Sequence, residues 1–203
     1  MADAFTVLHV CLGNICRSPM AERLFALRAR EAAEGVDLVR SVSVGTGDWH
    51  VGEWMNPPAA QQIEMRGGDT SNYAAATLKP EDIAQADLIL AAATEHMERL
   101  LDLAPEASAR IFMLREFADL LAKVDNAGLP KIPDDVAKPV LLNAVRERGI
   151  AVVRTADELR AERLPDARYN VDDPWGMGDR VFARVAHEID DAVTIIAQTT
   201  VKN

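Results

Sequence analysis

Short apolar runs alternate with amphipathic segments along this chain, and this alternation constrains the fold more than any other feature. Buried strands are predicted at 5–10, 39–44, 87–93 and 110–114. Strands that alternate with helices are typical of a parallel sheet covered on both faces. We therefore predict an α/β three-layer sandwich, with four parallel strands in the order 2-1-3-4, right-handed crossovers and helices on both faces.

Local signals place the helices between and after these strands. Ser18 suits the N-cap of the first helix and Pro19 its first position, and Met20, Leu24 and Leu27 form one apolar stripe. Further helices are predicted to begin at Pro57-Pro58, at a capping Thr94, at Glu116 and at Gly178, the last with Val181, Val185, Ile189, Ala192 and Ile196 on one face.

The segment 125–165 breaks this alternation. It is rich in Pro, Asp and Arg, and helices are predicted at 136–148 and 156–163. A chain of 203 residues is expected to form one domain. We therefore predict a single domain over 1–203, with a peripheral helical insertion at about 125–165.

Composition excludes several classes of function. The net charge of −10 argues against a nucleic-acid-binding surface and discourages docking on membranes. No stretch approaches the roughly 20 apolar residues of a membrane span, and no basic segment precedes the first apolar run, so no signal peptide is expected. Two cysteines make no disulfide framework, which indicates a reducing, cytoplasmic environment.

Chemistry is concentrated in the loop between the first strand and the first helix, VCLGNICRSPMAE at 10–22. Ligands of such folds bind beyond the carboxyl ends of the strands. Curled backbone N–H groups and a helix N-terminus attract an anion, and the Arg17 guanidinium can hold two phosphate oxygens. The same features favour a thiolate at Cys11, which would be a nucleophile aimed at phosphorus. The Cys-to-Arg spacing alone is weak evidence, and its position between a strand and a helix makes it strong.

The run CLGNICRSPMAE resembles the nucleophile loop of the low-molecular-weight protein tyrosine phosphatases. That family also has an Asp-Pro-aromatic motif near its C-terminus, and this chain has Asp172-Asp173-Pro174-Trp175. The resemblance spans 6–198 apart from the insertion, with both motifs in the family's order.

This resemblance implies a role for each matching residue. Cys11 would form a phosphocysteine, Arg17 would clamp the phosphate, and Asp173 would be the general acid and then the base. Asp172 is the competing acid. Asn14 would organise the loop, with Ser43 in support, and Ser18 would help to expel the thiolate. The phosphate would be bound by loop residues Leu12, Gly13, Asn14, Ile15, Cys16 and Ser18.

Further residues carry weaker implications. Trp49 and Trp175 match aromatic walls that hold the substrate's aryl ring, while Trp54 could equally be packing. Cys16 could form a reversible, protective disulfide with Cys11, or could be an apolar filler. His9 is expected to be a satisfied core residue.

Two positions depart from the family pattern. Many members carry a His where this chain has Asn72, and an Asp where it has Ala93, after Ala92. The support behind the loop is therefore expected to differ, and the insertion could reshape the substrate entrance.

The expected function is hydrolysis of aryl phosphate monoesters, with phosphotyrosine proteins or small aryl phosphates as partners and with no nucleic acid or membrane. No metal motif links His9, His50, His96 and His187, and no cofactor is expected. The alternatives are an arsenate reductase of the same fold and a non-catalytic phospho-ligand binding module. The oligomeric state is left open.

Overall fold

A four-stranded parallel sheet forms the centre of the molecule in the computed structural model, which describes residues 4–160 and 163–203. The strands are β1 (Phe5–Cys11), β2 (Val39–Gly45), β3 (Leu88–Ala91) and β4 (Ile111–Met113). Their order is β2-β1-β3-β4 and every pairing is parallel, which confirms the predicted sheet. β1 is buried throughout, as expected for a central strand covered on both faces.

Seven α-helices are described, and most follow the predicted segments. They are α1 (Arg17–Ala32), α2 (Pro57–Met65), α3 (Pro80–Gln85), α4 (Thr94–Leu103), α5 (Leu114–Leu121), α6 (Lys138–Leu159) and α7 (Asp179–Val201). The short α3 was not predicted. In the part of the chain that the structure describes, no helix combines the length and apolar character needed to cross a bilayer.

Alternate residues of β1 serve two separate cores, because successive side chains of a strand point to opposite faces. Val7 and Cys11 belong to the larger core, which includes residues of α1, α2, α5, α6 and α7. Leu8 and Val10 belong to the smaller core, which includes residues of α3 and α4. Helices therefore cover both faces of the sheet, as predicted.

The predicted caps of two helices were wrong. α1 begins at Arg17, so Ser18 lies inside its first turn, and Cys16 occupies the cap position without a side-chain cap bond. Thr94 is likewise the first residue of α4 and not its cap. The Ser18 hydroxyl bonds side chains of the preceding loop and is not used to cap the helix.

The segment 125–165 contains one long helix where two were predicted. α6 runs without a break through Gly149, where a Cβ would lie 2.5 Å from the Phe5 ring, so the glycine provides close packing. Val152 and Ala156 join the larger core, so the prediction of a peripheral helix was wrong. The predicted helix 156–163 extends into 161–162, which lie outside the described residues.

The position of α6 separates it from the predicted ligand site. Its Gly149 packs on Phe5, at the start of β1, and Arg146 bonds Asp87, just before β3. α6 therefore lies near the amino ends of these strands, while Cys11 stands at the carboxyl end of β1.

Candidate active site

The loop between β1 and α1 is held open by hydrogen bonds to its carbonyl groups. The Cys11 oxygen accepts from the Thr46 N–H and the Leu12 oxygen from the Gly47 N–H, both at 2.9 Å. The Ile15 oxygen accepts from the Asn56 N–H at 2.8 Å. The loop is thus anchored through its carbonyls to the segments that follow β2.

The N–H groups of the same loop are left free. Within residues 4–160 and 163–203, no hydrogen bond uses the backbone N–H of Leu12, Gly13, Asn14, Ile15 or Cys16. Unused N–H groups in a curled loop at a helix N-terminus form a site for an anion. The loop therefore leaves its N–H groups free, as an anion site requires, and binding of phosphate there stays a prediction.

Cys11 and Ser18 meet inside this loop. The Cys11 Sγ lies 2.9 Å from the Ser18 Oγ, and Cys11 is buried. The Asn14 Nδ2 donates to the Ser18 Oγ at 2.9 Å, and the Val44 oxygen, 3.4 Å from that Oγ, is a second acceptor for the hydroxyl proton.

Asn14 is held by hydrogen bonds to both its side chain and its main chain. Its φ of 54° lies in the left-handed region, which non-glycine residues seldom adopt. Its Nδ2 also donates to the Ser43 Oγ at 2.9 Å, and its Oδ1 accepts from the Ala76 N–H at 2.8 Å. The Tyr73 hydroxyl donates to its backbone oxygen at 2.5 Å. Asn14 and Ser43 therefore lie together as the sequence indicated.

Two supporting residues, Tyr73 and Glu22, were not predicted from the sequence. The Ser43 hydroxyl donates to the Glu22 carboxylate at 2.5 Å, and burial raises the pKa of Glu22 above its usual range. Asn72, the position that departs from the family pattern, is exposed with a φ of 52°. Its neighbour Tyr73 makes the bond to the loop.

Arg17 joins the loop to the segment before α7. Its Nη2 donates to the Asp173 carboxylate at 2.7 Å, and its Nη1 donates to the Val171 oxygen at 3.3 Å. The Arg17 Nε is buried, and the described chain offers it no hydrogen-bond partner. This donor remains available to a phosphate oxygen.

The two candidate acids differ in their surroundings. Asp173 faces Arg17 and accepts a second bond from the Trp175 N–H at 3.1 Å. Asp172 instead bonds the exposed Arg184 at 2.7 Å. The geometry thus places Asp173, and not Asp172, beside the loop.

A cleft opens above the loop. Its lining includes Cys11, Leu12, Gly13, Ile15, Cys16, Arg17, Trp49, His50, Asp173 and Trp175. Trp49 and Trp175, which are 58% and 63% exposed, are both among the lining residues. No residue of 125–165 is among these lining residues, so the idea that the insertion reshapes the entrance gains no support.

Trp54 and His50 differ in their relation to the cleft. Trp54 is outside this lining, and its indole N–H donates to the Thr70 oxygen at 3.4 Å. His50, which was not predicted, lies against Gly13, where a Cβ would be 2.9 Å from its ring. Its Nδ1 is 2.7 Å from Glu53.

The second cysteine and the buried histidine are both desolvated. Burial raises the pKa of Cys16 to about 12, with a further contribution from the nearby Cys11, so Cys16 stays a neutral thiol. Burial lowers the pKa of His9 to about 3. Neither ring nitrogen of His9 has a partner in the described structure, so the expectation of a satisfied core residue was wrong. No set of three or more His, Cys, Asp or Glu side chains among the described residues is placed to hold a metal.

Comparison with known proteins finds one matching family and several relatives of this chain. A family model described as low molecular weight phosphotyrosine protein phosphatase matches residues 6–125. The low molecular weight protein-tyrosine phosphatase A of Mycobacterium tuberculosis is 45% identical over 117 residues, which cover 58% of this chain and 69% of that protein. The low molecular weight phosphotyrosine protein phosphatase of Schizosaccharomyces pombe is 33% identical over 136 residues, covering 66% and 82%.

Solved structures agree on the fold. The low molecular weight protein tyrosine phosphatase of T. tengcongensis aligns with a TM-score of 0.64 and 27% identity, over 95% of this chain and 97% of that one. The YwlE arginine phosphatase of Geobacillus stearothermophilus aligns with a TM-score of 0.62 and 21% identity, over 96% and 91%. The second likeness concerns the fold alone.

Proposed function

This chain belongs to the low molecular weight phosphotyrosine protein phosphatase family, and we propose that it hydrolyses phosphotyrosine through a phosphocysteine formed at Cys11. Family membership makes it a hydrolase acting on phosphotyrosine. One observation supports the proposed mechanism above all others. The Cys11 sulfur lies in a loop of unbonded N–H groups, with Arg17 and Asp173 at the same cleft.

In the first step the Cys11 thiolate attacks phosphorus and the bond from phosphorus to the aryl oxygen breaks. Asp173, in its protonated form, donates its proton to the departing oxygen, so that a phenol leaves and not a phenolate. The free loop N–H groups and the Arg17 guanidinium hold the three other phosphoryl oxygens as charge develops on them. A phosphate in the loop competes with Asp173 for Arg17 and so frees the carboxyl group for its role.

In the second step water attacks the phosphorus of the phosphocysteine. The Asp173 carboxylate accepts a proton from that water, the sulfur–phosphorus bond breaks, and inorganic phosphate leaves. The Ser18 hydroxyl, 2.9 Å from the Cys11 Sγ, donates to the returning thiolate and makes it a better leaving group.

Turnover of para-nitrophenyl phosphate without added metal tests this mechanism. Cys11→Ser should be inactive, and Asp173→Asn should lose about 100-fold or more in kcat. Asp172→Asn is the matched control, because its carboxylate bonds Arg184 outside the cleft, and it should stay within about twofold of the wild type. Robust turnover by Cys11→Ser would overturn the mechanism, and faster turnover of arsenate than of phosphate esters would favour a reductase.

We also propose that Cys16 protects the nucleophile from over-oxidation. A peroxide would convert the Cys11 thiolate to a sulfenic acid with release of water or an alcohol, and the Cys16 sulfur would then displace water to form a disulfide. Both cysteines line the cleft. Because burial raises the pKa of Cys16 to about 12, this closure should be slower than for an ordinary thiol. Peptide mapping that finds Cys11 sulfonic acid and no Cys11–Cys16 link would refute the proposal.

We propose a reducing compartment such as the cytoplasm as the place of action, because the reaction needs Cys11 as a free thiolate. Phosphotyrosine proteins and small aryl phosphates are the proposed partners. Trp49 and Trp175 would flank the aryl ring of either substrate.

A further inference from the structure

Tyr73 braces the catalytic loop from a position outside the lining of the cleft. It lies 59 residues beyond Asn14 along the chain, yet its hydroxyl donates to the Asn14 backbone oxygen at 2.5 Å. Tyr73 is not among the residues that line the cleft. Its effect on a bound phosphate must therefore pass through the loop backbone.

The geometry of the peptide group shows what this bond does. The described chain has no cis peptide bond, so the Asn14 carbonyl and the Ile15 N–H point in opposite directions across one rigid plane. Tyr73 holds the carbonyl away from the cleft, and this turns the Ile15 N–H toward it. Among the residues described, nothing accepts a hydrogen bond from that N–H.

The bond acts where the backbone is least able to hold its own conformation. Asn14 has a φ of 54°, and such strained conformations persist only when their surroundings fix them. The Ala76 N–H holds the Asn14 side chain at 2.8 Å, and the Ala76 oxygen accepts from the Gly45 N–H at the end of β2. The segment 73–76 therefore grips both the side chain and the main chain of Asn14.

The surroundings of Tyr73 keep it a hydrogen-bond donor. Burial raises the pKa of its phenol above the usual range, so it retains its proton. The Arg23 guanidinium lies 5.5 Å from the centre of its ring and packs against the aromatic face. The ring is thus fixed with its hydroxyl aimed at the loop.

We propose that Tyr73 is a positioning residue that orients the Asn14–Ile15 peptide so that the Ile15 N–H binds the phosphoryl group. The inference rests on the proposed function, because it assigns that N–H to phosphate. Tyr73, which lies outside the motif at 10–22, would then set the geometry of the loop.

Tyr73→Phe removes the hydroxyl and retains the ring, and Tyr169→Phe makes the same change in the only other tyrosine of the chain. Tyr169 is not among the cleft-lining residues. For both variants we would measure kcat and KM with para-nitrophenyl phosphate and phosphotyrosine, inhibition by inorganic phosphate, and thermal unfolding. The Ile15 amide resonance would be followed as inorganic phosphate is added.

Tyr73→Phe should lose about tenfold in kcat/KM, equally for both substrates, because the phosphoryl group is common to them. Its inhibition constant for phosphate should rise by a similar factor, and the shift of the Ile15 resonance with phosphate should shrink. Tyr169→Phe should match the wild type in kcat/KM, in its inhibition constant for phosphate and in the shift of the Ile15 resonance.

A Tyr73→Phe variant with wild-type phosphate inhibition and a wild-type Ile15 shift would overturn the inference while leaving the phosphatase mechanism intact. A loss of stability with unchanged phosphate inhibition would assign Tyr73 a purely structural role and would also overturn it. A wild-type protein that turns over neither ester would instead contradict the proposed function.

Discussion

Ser18, in the first turn of α1, contacts both the proposed nucleophile and the side chain that organises the loop. Its oxygen accepts from Asn14, and its one proton has two acceptors in reach, the Cys11 sulfur at 2.9 Å and the Val44 oxygen at 3.4 Å. We propose that the proton turns to the sulfur when the sulfur carries negative charge. A hydrogen bond to the sulfur matters most when the sulfur leaves phosphorus, because the full negative charge returns to it in that step.

Ser18→Ala should therefore slow the second step more than the first. We expect kcat to fall about 10- to 100-fold and an initial burst of para-nitrophenol to appear, because phosphoenzyme accumulates. Rapid-mixing kinetics measure the burst, with the exposed Ser71→Ala as control. Equal slowing of both steps, with no burst, would contradict this role.

The role of Asp173 predicts a dependence on the leaving group. A phenol of high pKa needs a proton to depart, whereas para-nitrophenolate leaves readily without one. Asp173→Asn should therefore lose at least tenfold more in kcat/KM, which reports the first step, on phosphotyrosine than on para-nitrophenyl phosphate. Parallel steady-state assays measure the ratio, and equal losses on both substrates would exclude proton donation by Asp173.

The sequence could indicate the residues that we propose to act on the phosphate but not those that support them. Cys11 and Arg17 fall in one short loop between a strand and a helix, and Asp173 precedes a proline in a matching motif. Tyr73 reaches Asn14 only because the chain folds back along the end of β2, and His50 reaches Gly13 through an irregular loop. No local pattern encodes such contacts.

At the scale of elements, the strands were easier to predict than the long helix α6. Short β-branched and apolar runs gave β1 to β4, since buried parallel strands need little else. Two helices were predicted at 136–148 and 156–163, yet α6 continues through Gly149, where Phe5 fills the space that a side chain would need. A tertiary contact here overrides helix propensity.

Gly149→Ala tests that contact. In an exposed helix the change would stabilise by about 1 kcal/mol, but a Cβ here would lie 2.5 Å from the Phe5 ring. We expect the free energy of unfolding to fall by about 1–3 kcal/mol, with kcat/KM unchanged because α6 lies near the opposite end of the sheet from Cys11. Urea unfolding measures the free energy of unfolding. An increase in stability would show that the packing is looser than described.

For the whole molecule, we propose that 1–203 form one domain, because α6 from the segment 125–165 shares the larger core with α1 and α7. That core also contains the strand that holds His9, whose imidazole packs beside Phe25 with ring centres 5.7 Å apart. A buried neutral histidine makes folding sensitive to acid.

Burial lowers the pKa of His9 to about 3, so below its ordinary value the unfolded chain binds a proton that the folded chain does not. Stability should therefore fall as the pH falls from about 6.5 toward 3. Between about pH 7.5 and pH 5 the free energy of unfolding should fall in both proteins. The fall in His9→Phe should be smaller than in the wild type by about 1–2 kcal/mol. Urea unfolding at the two pH values measures this, with the exposed His187→Gln as control. An unchanged pH dependence in His9→Phe would exclude His9 as a source of acid sensitivity.

The most direct measurement is the identity of the atom that carries the phosphoryl group during turnover. The protein would be mixed with phosphotyrosine, quenched within the first turnovers and digested, and its peptides sequenced by mass spectrometry. The account predicts phosphate on Cys11, with Cys16 unmodified and no phosphopeptide from Cys11→Ala. Steady turnover with phosphate on another residue, or with no phosphoenzyme even in Ser18→Ala, would contradict it.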